Sequence, residues 1–111
     1  MKALLGPFRK KGGRTIKVTV HGYDCWNLNH TLAVIAYPLL KKFREIEAGH
    51  PGGGTQEEWN EILDRMIWSM KIVADEKDCC PSGSIVEIRR FYKKVNSGLE
   101  LFGKHFRSLW Y

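Results

Sequence analysis

The sequence predicts a helix-dominant α+β domain, an N-terminal β-hairpin followed by three amphipathic helices. Three observations carry this expectation. Residues 14–21 alternate apolar and polar groups behind a Gly-Gly pair. Thr55 and Ser84 each open a capping box, and the stretches that follow repeat apolar residues at three- and four-residue spacing. With 111 residues and 43% hydrophobic content, the chain fits one domain, 1–111, around a single core.

The hairpin arm is expected over residues 1–22. Residues 2–10 supply a first strand whose length Gly6-Pro7 limits, and Gly12-Gly13 marks a two-residue turn. In the second strand Ile16, Val18 and Val20 face one side and Lys17, Thr19 and His21 the other. A lone hairpin is marginal in water, so it must lie on the helices or on strands of another subunit.

The first helix is expected over 28–47, with Leu32, Ile35, Ala36, Leu39, Leu40, Phe43 and Ile46 as its apolar stripe. Pro38 removes one backbone hydrogen bond and predicts a kink near Val34. Gly49-His50-Pro51-Gly52-Gly53-Gly54 ends this helix as a linker, since it has neither the lysine-serine ending nor the preceding strand of a phosphate loop. The second helix, 55–75, puts Trp59, Ile62, Leu63, Met66, Ile67, Met70 and Val73 on one face. Trp68 falls beside that stripe, exposed or against a partner. The third helix, 84–110, turns Ile88, Phe91, Tyr92, Val95, Leu99, Phe102, Phe106, Leu109 and Trp110 inward. Gly98 lies on the same face, and its cost of about 1 kcal/mol to the helix is offset only if another backbone passes close by.

The formal charge of +6 is uneven. Residues 1–21 hold six basic groups and no acidic one; residues 55–78 hold three basic and seven acidic; residues 84–111 hold six basic and two acidic. A basic arm and a basic last helix suit phosphate, in a nucleotide or a nucleic acid, while opposite-sign helices also pair with each other or with a second subunit. Cys25, Cys79 and Cys80 are read as reduced thiols, and a zinc site would need better-spaced ligands than these and the scattered histidines. No apolar run reaches the roughly 18 residues of a membrane span, which predicts a soluble, intracellular protein.

The joint between the second strand and the first helix, Tyr23-Asp24-Cys25-Trp26-Asn27-Leu28-Asn29-His30-Thr31, carries more polar groups than capping requires. Turn capping is the commoner role for Asp24, and accepting hydrogen bonds from a ribose or an amine the sharper one. Trp26 after a strand is most often core, while its flat face also suits stacking on a base. Asn27 and Asn29 both suit the N-cap; only one can take it, which frees the other for a ligand. His30 and Thr31 fall in the first helical turn, where free N–H groups favour an anion. Lys10, Lys11 and Arg14 of the hairpin turn would add positive charge if the hairpin folds over the helix start. On the last helix Arg89, Lys93, Lys104 and Arg107 recur in a polar stripe with Asn96 and Glu100, ordinarily a solvated face and here also a candidate binding surface. No nucleophile stands with its base, so the expected protein is not an enzyme and needs no cofactor.

Four segments add a resemblance: Leu5-Gly6-Pro7-Phe8; Asp24-Cys25-Trp26-Asn27 with Thr31-Leu32-Ala33 and Pro38-Leu39-Leu40; Trp59-Asn60-Glu61-Ile62-Leu63-Asp64-Arg65-Met66-Ile67-Trp68; and Ser97-Gly98-Leu99-Glu100-Leu101-Phe102-Gly103-Lys104-His105-Phe106 with Ser108-Leu109-Trp110. In order and spacing the chain resembles a family of small proteins of tailed bacteriophages, which often have a longer insert where this chain has only residues 49–54. The resemblance implies a phage origin and action in the cytoplasm of an infected bacterium; it brings no catalytic residues. By analogy with phage antagonists of host defence, the expectation is a non-enzymatic protein that sequesters a small phosphate-bearing, nucleotide-derived immune signal. It would be a homo-oligomer joined through Trp68, Trp110 or the hairpin edge. The alternatives are a nucleic-acid-binding protein, an inhibitor of a host enzyme, or a structural part of the virion.

Overall fold

The computed structural model describes residues 2–9, 13–47, 49–79 and 81–110, with the backbone alone over 2–9 and 13–16. Strand β1 (Lys2–Arg9) pairs antiparallel with β2 (Gly13–Thr19). Ala3 faces Val18 and Leu5 faces Ile16; beyond a register shift Phe8 faces Arg14. The shift falls at Gly6-Pro7, where proline lacks the N–H of a regular ladder. Of the expected turn, Gly12 lies outside the described residues and Gly13 begins β2.

Three helices follow, α1 (Leu28–Ile46), α2 (Gln56–Ala74) and α3 (Ile85–His105), so the described chain is predominantly helical. The two capping residues act as their spacing requires. Thr55 Oγ1 accepts from the Glu58 N–H at 3.1 Å and Ser84 Oγ from the Glu87 N–H at 3.2 Å, each cap stabilising its helix by about 1 kcal/mol. α1 continues through Pro38 to Ile46. α3 stops at His105, short of the expected 110, and a 3-10 turn, Phe106–Ser108, completes the chain's helical part. Phe106 and Trp110, expected to face inward, are consequently exposed, Trp110 by 75%.

α2 is the middle of the helical layer. It supplies Trp59, Leu63, Met66, Met70 and Val73 to the core, against Ala33 and Leu40 of α1 on one side and Val95 of α3 on the other. α1 and α3 each pack on α2, and among the described residues neither packs on the other. α2 and α3 cross closely at Gly98. A Cβ on Gly98 would lie 2.5 Å from the Arg65 carbonyl oxygen and against Ser69, so the absent side chain admits the α2 backbone. Buried Ser69 donates to the Val95 carbonyl at 2.9 Å across that crossing.

The expected single stripe of α1 is split. Ala33 and Leu40 are buried, whereas Leu32, Leu39 and Ile46 stay exposed, because α3 takes the far side of α2 and leaves α1 one neighbour. The hairpin does not cover them. Among the described residues neither strand has a close neighbour in any helix, and Val18 and Val20 are exposed. The radius of gyration is 16.2 Å and the extents 55 × 42 × 19 Å, against about 13 Å for a compact domain of this length.

Candidate functional site

Two regions are candidates for a functional site, the joint before α1 and a groove between α1 and α3. At the joint the chain makes a 3-10 turn, Gly22–Cys25. The Asp24 carboxylate accepts from the His21 N–H at 2.9 Å, and that hydrogen bond holds its carboxyl below the ordinary 3.8. Thr31 Oγ1 donates to the Asp24 carbonyl at 3.0 Å. Asp24 and Thr31 thus fasten the turn to the first turn of α1.

The cap of α1 differs from expectation. Asn27 takes the N-cap position in the left-handed region, φ 59° and ψ 49°, and its side chain makes no cap hydrogen bond. Its amide makes instead a long hydrogen bond, 3.5 Å, to Glu76 Oε1 beyond the end of α2. His30 Nδ1 lies 3.4 Å from the Val73 carbonyl oxygen and 3.7 Å from the same Glu76 oxygen. A carbonyl only accepts, so the first contact calls for the Nδ1–H tautomer. Asn27 and His30 therefore tie α1 to the end of α2, with an acidic side chain beside the helix start. Trp26, placed in the core as the commoner reading of its position, is 82% exposed.

Of the hairpin residues expected to add charge, Arg14 is not brought to this joint. Lys10 and Lys11 lie outside the described residues. Arg14 sits in β2, which among the described residues has no close neighbour in α1. On α3, Arg89 and Lys93 are exposed and line a shallow depression of about 540 Å³ with Tyr92, Asn96, Ser97 and Glu100. Lys104 is exposed at the other end of α3, some four turns from Arg89, about 22 Å along the helix, and Arg107 is exposed in the 3-10 turn beyond it. Trp68 is half-buried, with Lys94 Nζ 4.1 Å above its ring and Phe91 edge-on at 6.1 Å.

The larger feature is apolar. Between α1 and α3 runs a groove of about 620 Å³. Leu32, Ile35 and Leu39 form one wall and Leu99, Phe102 and Phe106 the other, with Met70 and Val73 of α2 as the floor. Asn29, at the end nearest the joint, also lines it, the one joint residue that the structure places there. The groove wall carrying Tyr92 and Asn96 is shared with the depression of Arg89 and Lys93.

The apolar stripes of the sequence predict a core position for the leucine, isoleucine and phenylalanine residues of these walls. A signal was present, however: from Leu28 to Leu40, α1 has no aspartate, glutamate, lysine or arginine. A helix without charge on any side has more apolar surface than one neighbour can cover.

Among the described residues no group of three or more histidine, cysteine, aspartate or glutamate side chains is placed to hold a metal ion, and no helix is long and apolar enough to cross a membrane. Cys25 is an exposed thiol outside any disulfide. Fold and groove together define a class, a one-layer three-helix protein with an open apolar channel and a hairpin arm. Comparison with protein-family models, curated proteins and solved structures gave no match.

Proposed function

We propose that this is a non-enzymatic binding protein whose α1–α3 groove receives an amphipathic helix of another protein. The observation that carries the reading is the pair of facing stripes. Asn29, Leu32, Ala33, Ala36 and Leu39 line the groove from α1 at helical spacing, and Tyr92, Val95, Leu99 and Phe102 line it from α3 with Phe106 of the 3-10 turn. A channel between two such stripes has the form in which helix-in-groove recognition works, through anchors at i, i+3 or i+4 and i+7. With the resemblance to tailed-phage proteins, the proposal extends to an antagonist that holds a host protein inside the infected bacterium.

The test uses the exposed walls. Leu32→Gln with Leu39→Gln leaves the buried face of α1 in place and makes the groove polar. A host protein that co-purifies with the wild-type chain and is lost with the double variant, at unchanged circular dichroism, supports the reading. Equal recovery by both refutes it.

A second reading keeps the phosphate-bearing ligand and moves it from the joint to the depression on α3. Arg89 and Lys93, one helical turn apart, offer two cations, and Tyr92 offers a ring for a base. Glu76 beside His30 disfavours an anion at the start of α1, whereas the depression holds one carboxylate, Glu100, against two cations. Thermal shift with cyclic and linear nucleotides tests this; an unchanged melting temperature at concentrations far above a micromolar dissociation constant refutes it.

A further inference from the structure

We infer that the groove selects a helix with acidic residues along one flank, the flank that meets α3. The inference rests on the reading of the groove as a helix-binding site and specifies the chemistry of its partner. Three observations lead to it.

The two rims differ in charge. Along α1, from Leu28 to Leu40, the rim has no aspartate, glutamate, lysine or arginine. Along α3, Arg89 and Lys93 stand directly beyond Tyr92 and Asn96, and these two residues line both the groove and the basic depression. The carboxylates there are Glu100 and, at the Tyr92 end of the groove, Asp78; against them stand Arg89, Lys93 and, toward Phe106, Lys104 and Arg107, all exposed. A partner seated against Leu99 and Phe102 brings one flank over uncharged α1 and the other over these cations.

The groove is also concave. Met70 and Val73 at its floor are each only 7% exposed while Leu32, Leu39 and Phe106 stand out on the walls. A flat bilayer reaches the walls and not the floor, whereas a convex helix reaches both. From Tyr92 to Phe106 the wall runs along α3 into its 3-10 extension, about 21 Å, enough for roughly four turns of a docked helix.

Charge, finally, decides against the hairpin of a second copy. Residues 1–21 hold six basic groups and no acidic one. Such an arm would bring positive charge to a rim already positive.

The test uses two fluorescent peptides of about 18 residues with leucines at i, i+4, i+7 and i+11, their flanks filled with glutamate in one and lysine in the other. Anisotropy is read with the wild-type chain, with Arg89→Glu/Lys93→Glu and with Leu32→Gln/Leu39→Gln, and helical content is checked for each. The expected result is about tenfold tighter binding of the glutamate peptide to wild type, a preference weakened by salt. It should reverse in the charge-swapped variant, and the glutamine variant should bind neither peptide. Equal binding of both peptides by wild type, lost in the glutamine variant, overturns the acidic flank and leaves the helix-binding groove standing. No binding of either peptide overturns both. A wild-type dimer dispersed by Leu32→Gln/Leu39→Gln would make the occupant a second copy, and wild-type adsorption to anionic vesicles abolished by the same change would make it a membrane. Either result also overturns the proposal.

Discussion

Gly98 of α3 lies against Ser69 of α2, closely enough that a single added methyl group at Gly98 would meet the α2 backbone at the Arg65 carbonyl. The two helices approach because one has no side chain there and the other has a small one whose hydroxyl is satisfied by the Val95 carbonyl. Gly98→Ala should therefore destabilise the protein by about 1–3 kcal/mol, the cost of overpacking, even though alanine favours a helix by about 1 kcal/mol. Gly103→Ala on the same helix is the control. A Cβ there meets nothing within 4 Å, so only the gain of about 1 kcal/mol should remain. Urea denaturation of the two variants checks the opposite signs.

Neighbouring leucines of α1 should respond very differently to substitution. Leu40 is 5% exposed, in the core against α2, while Leu39 is 48% exposed on the groove wall. Leu40→Ala is expected to cost about 2–5 kcal/mol. Leu39→Gln should stay within about 0.5 kcal/mol of wild type, since it changes an exposed position to another good helix former. Chemical denaturation gives both numbers. A large loss at Leu39 would mean that its wall is packed in solution.

The tryptophans divide into two pairs. Trp26 and Trp110 are exposed, Trp59 is buried, and Trp68 lies beneath Lys94 and beside Phe91. Iodide should quench part of the emission, and Trp26→Phe with Trp110→Phe should remove most of the quenchable part. Lys94→Ala should then expose Trp68 and shift the remaining emission to the red, with a loss of about 0.5–1 kcal/mol from the broken cation–π contact.

At the joint, the His21 N–H holds the Asp24 carboxyl below 3.8. A group whose acidity rises on folding favours the fold above its unfolded value, and that contribution disappears as pH falls through the lower folded value. The His21 amide resonance should follow this titration, with its midpoint below 3.8. In Asp24→Asn the acid-dependent movement of that resonance should vanish. A midpoint at or above 3.8 would contradict the hydrogen bond as its cause.

Much of the helical layer was legible because short-range rules govern it. Thr55 and Ser84 cap the helices that their spacing announces, and Gly98 marks the close crossing that its presence on an apolar face implies. The joint was harder to read. Asn27 holds the N-cap position, but its left-handed backbone turns the amide toward Glu76, a residue 49 positions away that no local rule supplies. Helix periodicity says which residues share a face and not how many neighbours that face will meet. Leu32 and Leu39 thus belonged to the apolar stripe of α1 and yet lie open.

Because neither β1 nor β2 has a close neighbour in α1, α2 or α3 among the described residues, strand pairing and helix packing have little means of sharing free energy. The chain then has two cooperative units of unequal strength. Amide protons of the strands should exchange with solvent by a local opening far less costly than global unfolding, while those of α2, flanked on both sides, should be the last to exchange. A ligand that ordered the hairpin would slow exchange in the strands and leave the helices at their own rate.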